Sequence, residues 1–174
     1  MTSTEIIEAL RQKFTVSSGR HLYGVLGSYA QLDAFAKKLR QAKALDDALF
    51  PKPVNVNRGI LEAIPDEEFK RLAEDEAKRP EPTAAHVGQA FEHFLRDALK
   101  GGMVVVLADL EMLFAYHIEL NLLRTLAADE NKVLLLLPGK RSSGRIVMFH
   151  EMAEGDYTLP TNLIADNHLW EIRE

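Results

Sequence analysis

The sequence predicts a three-layer α/β fold built on a mainly parallel, five-stranded sheet. Two observations carry that expectation. Val104-Val105-Val106-Leu107 and Val133-Leu134-Leu135-Leu136-Leu137 are apolar at every position, as strands are when helices cover both faces of their sheet. The span between them, from Asp109 to Asp129, has the length of a helical crossover, so the pair reads as a βαβ unit. Its first strand ends at Asp109 and Glu111, at the carboxyl edge where α/β sheets place their ligands.

The remaining elements extend this pattern towards both ends. Thr4 caps an amphipathic helix whose stripe is Ile6, Ile7, Leu10 and Phe14, and Ser17-Ser18-Gly19 breaks it. His21 to Ser28 reads as a short strand with a glycine at its exit, and Tyr29 to Arg40 as a helix with Leu32, Phe35, Ala36 and Leu39 inward. Valine alternates with polar residues from Val54 to Gly59, which suggests a half-exposed strand at a sheet edge. The segment from Asp66 to Arg79 opens with acids and closes with bases, matching the helix dipole of a solvated helix. A further helix runs from Thr83 to Lys100, closed by Gly101-Gly102, and another from Tyr116 to Ala128. Pro138 to Arg145 reads as a turn rich in Gly, Ser and base, Gly144 to Phe149 as a strand, and Trp170 sits at the apolar end of a turn-rich tail.

Composition narrows the function classes. At 174 residues the chain is expected to form one domain spanning 1–174. It has no cysteine, which excludes disulfides and thiolate zinc sites. The first residues carry an acid where a signal peptide is basic, and no apolar run approaches the length of a membrane span, so a cytoplasmic location without membrane insertion is expected. A net charge of −5 argues against duplex binding by the whole surface.

Three stretches invite a chemical reading. The strand–turn–helix at Gly27-Ser28-Tyr29-Ala30-Gln31 lies where a phosphate-binding loop would fall. It lacks the second glycine and the lysine that such a loop uses to hold phosphates, the next lysine being Lys37, well down the helix. Gly139-Lys140 imitates the end of that motif, but Arg141 follows where Ser or Thr is required. Asp109 and Glu111 have the arrangement of a Walker B element, in which an Asp holds magnesium and a Glu orients water. They are the candidate nucleotide or metal residues. Lys140, Arg141 and Arg145, with Asn57 and Arg58 beside them, are candidate contacts to a protein partner or a phosphate backbone. His86 and His93 share a helix face without a third ligand at a telling spacing, and His117 has no evident nucleophile to serve.

Leu107-Ala108-Asp109-Leu110-Glu111-Met112-Leu113-Phe114, Leu135-Leu136-Leu137-Pro138-Gly139 and Gly144-Arg145-Ile146-Val147-Met148-Phe149, in this order, resemble the small P-loop-like proteins of bacteriophage-exclusion (BREX) defence loci, the BrxB and BrxF families. The likeness runs from about His21 to Phe149. It implies a P-loop-NTPase-like fold and a role in antiphage defence. BrxF-type proteins carry an intact phosphate loop and the turn from Gly27 to Gln31 does not. The resemblance therefore implies a BrxB-like or degenerate member without a Walker A motif: a pseudo-ATPase with no cofactor, acting as an adaptor or regulator on other proteins of the locus. A divergent magnesium-dependent ATPase built on Asp109 and Glu111, and a nucleic-acid-binding module built on Lys140, Arg141 and Arg145, are the alternatives.

Overall fold

The computed structural model describes residues 1–44, 47–76, 78–152 and 157–173. Strand β1 (Leu22–Gly27) is buried at all of its positions. It lies parallel to β4 (Lys132–Ser142), with Leu22 opposite Val133 and Gly27 opposite Pro138. Strand β3 (Val104–Ala108) flanks β4 on its other side, and the short β2 (Val54–Asn55) closes that edge against Leu107 and Ala108. Strand β7 (Leu169–Glu171) runs parallel to β1 at the opposite edge. The five parallel strands thus stand in the order β2-β3-β4-β1-β7.

The sheet has seven strands rather than five, because β4 does not stop at Pro138. It continues through Ser142 and pairs antiparallel with β5 (Arg145–Met148), which pairs with β6 (Tyr157–Thr158). The expected turn from Pro138 to Arg145 contracts to Ser143 and Gly144, both at positive φ, 48° and 78°. Two successive positive values are the geometry of a tight hairpin turn whose twist matches its strands.

Side-chain alternation divides the core into two layers. Leu22, Leu26, Val105, Leu107, Val133, Leu135 and Leu137 face one side of the sheet, and Tyr23, Val25, Val106, Leu134 and Leu136 face the other. Helices α1 (Ser3–Phe14) and α2 (Tyr29–Leu39) cover the second face with Ile6, Leu10, Phe14, Leu32, Phe35 and Leu39. The first face is covered by α3 (Val56–Ala63), α4 (Asp66–Asp75), α5 (Pro80–Lys100), α6 (Glu111–Ala115) and α7 (Asn121–Leu126). Burial of this kind stabilises by about 1.5–3 kcal/mol for each large apolar side chain. That both faces are covered explains why β1, β3 and β4 lack a polar stripe.

Three local expectations give way. Helix α1 is capped by Thr2, not Thr4: the Thr2 hydroxyl accepts from the Glu5 amide, and the Glu5 carboxylate accepts from the Thr2 amide. Val56, Asn57 and Arg58 are helical, because the Asn55 side chain accepts the Arg58 amide and starts α3. The helix expected from Tyr116 to Ala128 is broken at His117, which has φ 53°. There the His117 amide donates to Phe114 and the Ile118 amide to Leu113, the paired bonds of a Schellman C-cap. Turning the chain is the role of His117.

Candidate functional site

Strand β1 leaves the sheet towards the face covered by α2, and β3 leaves towards the face covered by α6. Exits to opposite faces on either side of β4 open a crevice at the carboxyl ends of the strands. Pro138, on β4 between them, lies at its floor with Asp109 and Tyr29 beside it.

One wall is the amino end of α2, where unpaired main-chain amides and the helix dipole attract anions. The chain fills this place itself. The Ser28 hydroxyl accepts the Gln31 amide at 3.2 Å and the Gln31 side chain accepts the Ser28 amide at 2.9 Å, a capping box. The Tyr29 amide donates to Glu151 Oε2 at 3.0 Å. Glu151 is brought there by a reversal after β5, in which Phe149, at φ 55°, donates its amide to the Pro138 carbonyl at 2.6 Å.

The opposite wall is the turn from β3 into α6. Glu111 accepts from the Tyr29 hydroxyl at 2.8 Å and from Asn57 Nδ2 at 2.7 Å, so each of its carboxylate oxygens is engaged. Asn57 also accepts the Met112 amide at 3.0 Å and donates its own amide to the Asp109 carbonyl at 3.0 Å. It thereby ties the start of α3 to the turn. Burial, and next the bond to Glu111, push the Tyr29 hydroxyl well above its ordinary range, so it remains a donor. Asp109 stands at φ 56°. Burial raises its pKa, as do the charges of Glu111 and Asp33.

The crevice therefore gathers Asp33, Asp109, Glu111 and Glu151 around Tyr29 and Asn57. Such a field repels a polyphosphate unless a cation intervenes. With Glu111 engaged at both oxygens, Asp109 is the carboxylate a cation would find, and among the described residues no group of three or more His, Cys, Asp or Glu is arranged to hold a metal.

Of the residues singled out in the sequence, Asp109, Glu111 and Asn57 come together here. The others do not join them. Arg58 pairs with Glu62 at 2.7 Å on the exposed side of α3. Lys140, Arg141 and Arg145 lie on the β4–β5 hairpin, where the Arg141 amide donates to Glu171 at 3.2 Å and its guanidinium reaches the Leu169 carbonyl at 3.5 Å. Arg141 thus ties the hairpin to β7. Tyr29, Asp33 and Glu151 were not expected in the crevice: Tyr29 and Glu151 are separated by 122 residues, and the one local signal was an acid just beyond Phe149. His86 contacts Glu68 at 2.8 Å and His93 contacts Asp97 at 3.2 Å, so the two histidines serve separate pairs. Among the described residues no helix is long and apolar enough to cross a membrane. No family model, no curated protein and no solved structure matches this chain.

Proposed function

We propose that this chain is a non-catalytic component of a BREX-type antiphage defence system, an adaptor or regulator acting through contacts with other proteins of the same locus. In this reading its sheet is wound like that of a P-loop NTPase, without the Walker A loop. The defence role rests on the resemblance of the segments around Asp109, Pro138 and Ile146 to the BrxB and BrxF proteins.

The non-catalytic half rests on one observation above the rest: the Glu151 carboxylate occupies the Tyr29 amide at the amino end of α2. In a nucleotide hydrolase a phosphate belongs there. A phosphate entering this turn would have to displace a carboxylate and disrupt a capping box, with Asp33, Asp109 and Glu111 close by and no lysine supplied by the turn. Glu111, the acid that would orient water, is instead spent on holding α2, α3 and α6 together through Tyr29 and Asn57.

A thermal melt with and without saturating ATP and magnesium tests this half. Specific binding at 100 times Kd adds about 2.7 kcal/mol, a shift of roughly 5–10 °C for a chain of this size. No shift is expected. A shift of that size that disappears in Asp109→Ala overturns the pseudo-ATPase reading. Co-expression with neighbouring proteins of the locus tests the other half, and a chain that elutes alone from every such pairing overturns it.

A further inference from the structure

The edge of the sheet beyond β2 is unfinished. Lys132 donates its amide to the Met103 carbonyl at 2.8 Å. By alternation, Met103, Val105 and Leu107 turn their main-chain groups towards β4, and Val104, Val106 and Ala108 turn theirs towards β2. Strand β2 is two residues long and reaches only Leu107 and Ala108. The residues before it are Pro51-Lys52-Pro53; Lys52 is in phase with Val54 and the two prolines face away from β3. Among the described residues no main-chain bond joins 51–53 to Val104, Val105 or Val106.

A cavity of about 1090 Å³ runs along this edge and on into the crevice at Tyr29, Asp109 and Pro138. Its sides are Leu32 and Ala36 of α2 and Phe94 and Ala98 of α5, and Val104 and Val106 lie at its floor. It has the place of one more strand between the two helix layers. Its charges are not symmetric. Glu62 pairs with Arg58, and Asp97 with Lys100 and His93. Asp33 and Asp109 sit towards the carboxyl end of β3. Lys37 and Arg40, on the last turn of α2 and just beyond it, and Lys52 also line the groove, and their side chains make no hydrogen bond or ion pair to another described residue.

We propose that this groove receives an extended acidic segment of a partner protein, added as a strand beside Val104–Val106. The partner's main chain pairs with the N–H and C=O of the half-buried Val104, alternate side chains enter the apolar walls, and its carboxylates meet Lys37, Arg40 and Lys52. Main-chain pairing gives the affinity, and the three cations select an acidic sequence over a basic one. The proposal rests on the adaptor reading and names the chemistry of the partner.

Two fluorescein-labelled hexapeptides, Glu-Val-Glu-Thr-Glu-Val and Lys-Val-Lys-Thr-Lys-Val, titrated against the full chain by anisotropy, test it. The acidic peptide is expected to bind and to slow amide hydrogen exchange at Val104. The combined Lys37→Glu, Arg40→Glu and Lys52→Glu variant is expected to weaken it by about tenfold or more at unchanged Tm. Equal binding of the basic peptide, protection that falls elsewhere, or no binding at all overturns the proposal. Self-association that the triple variant abolishes also overturns it, because the occupant is then a second copy of the chain. A complex with neighbouring proteins that the triple variant retains in full overturns the groove and leaves the adaptor reading standing. Peptide binding as expected, without any complex, defeats the adaptor reading alone.

Discussion

The Tyr29 hydroxyl donates a 2.8 Å hydrogen bond to Glu111 across the carboxyl ends of β1 and β3. The bond joins the amino end of α2 to that of α6, on opposite faces of the sheet, and it leaves Glu111 with Asn57 on its other oxygen. Tyr29→Phe removes the donor and keeps the ring. For a partly exposed bond to a carboxylate the cost is about 1 kcal/mol, a fall in Tm of roughly 2–4 °C. A double-mutant cycle with Glu111→Ala should return a coupling of at least about 0.5 kcal/mol. Additive single effects would show that the two side chains do not work as a unit.

Asp109 meets two penalties, a left-handed backbone at φ 56° and a charge beside Glu111 and Asp33. Asparagine tolerates that backbone as well as aspartate does and removes the charge. Asp109→Asn is therefore expected to raise Tm, by about 1–3 °C. Asp109→Val, β-branched at the same φ, should lower it. The raised carboxyl pKa sets a sign as well: the folded state holds this proton more tightly than the unfolded chain, so the Asp109 contribution weakens as pH rises past the ordinary aspartate range. Melts of the parent and Asp109→Asn between pH 4 and 7 should diverge as pH rises. A fall in Tm for Asp109→Asn would mean that the charge is held by a favourable partner.

The sheet was legible where burial on both faces leaves an unbroken apolar run, as at Val104–Leu107 and Val133–Leu137. Its edges were not. Strand β7 is three residues long, and Leu169, Trp170 and Glu171 owe their extended state to lying beside Gly24, Val25 and Leu26. Pro138-Gly139 looks like a strand terminator, yet Pro138 pairs with the last residue of β1, and the chain runs on into a hairpin. Asp109 and Glu111 were visible as acids at a strand end. Their partners Tyr29, Asn57, Asp33 and Glu151 come from distant segments, and no local pattern marks a contact made across 82 residues.

His21 is buried at the amino end of β1, with Nδ1 2.7 Å from the Tyr23 hydroxyl and Nε2 without a hydrogen-bond partner. Burial, and next the charge of Lys132, lower its pKa. Burial also lowers that of His168, whose ring lies 4.6 Å from Tyr23. The unfolded chain therefore binds protons that the folded chain refuses. Stability from this pair is fully present above the unfolded histidine value of about 6.5 and is lost as pH falls through the lower folded values. Tm should decline between pH 7 and 5, and His21→Gln, which cannot titrate, should flatten part of the decline. An unchanged slope in that variant would remove His21 as a source.

Gly139 marks the point at which β4 passes from the parallel sheet into the hairpin. A Cβ built there would lie 2.6 Å from the Val147 carbonyl oxygen and 3.1 Å from Met148 Sδ. The nearer obstacle is main chain in a paired strand, which cannot turn aside as a side chain can. Gly139→Ala is therefore expected to cost about 1–3 kcal/mol, read as a Tm lower by roughly 2–12 °C. Gly102→Ala is the control, since a Cβ there meets nothing within 4 Å. The displacement should also propagate, because the Pro138 carbonyl, one residue before Gly139, anchors the reversal at Phe149 that carries Glu151 to the Tyr29 amide. Amide exchange at Tyr29 should quicken in Gly139→Ala and not in Gly102→Ala. Equal exchange in the two variants would mean that Glu151 reaches α2 independently of the hairpin.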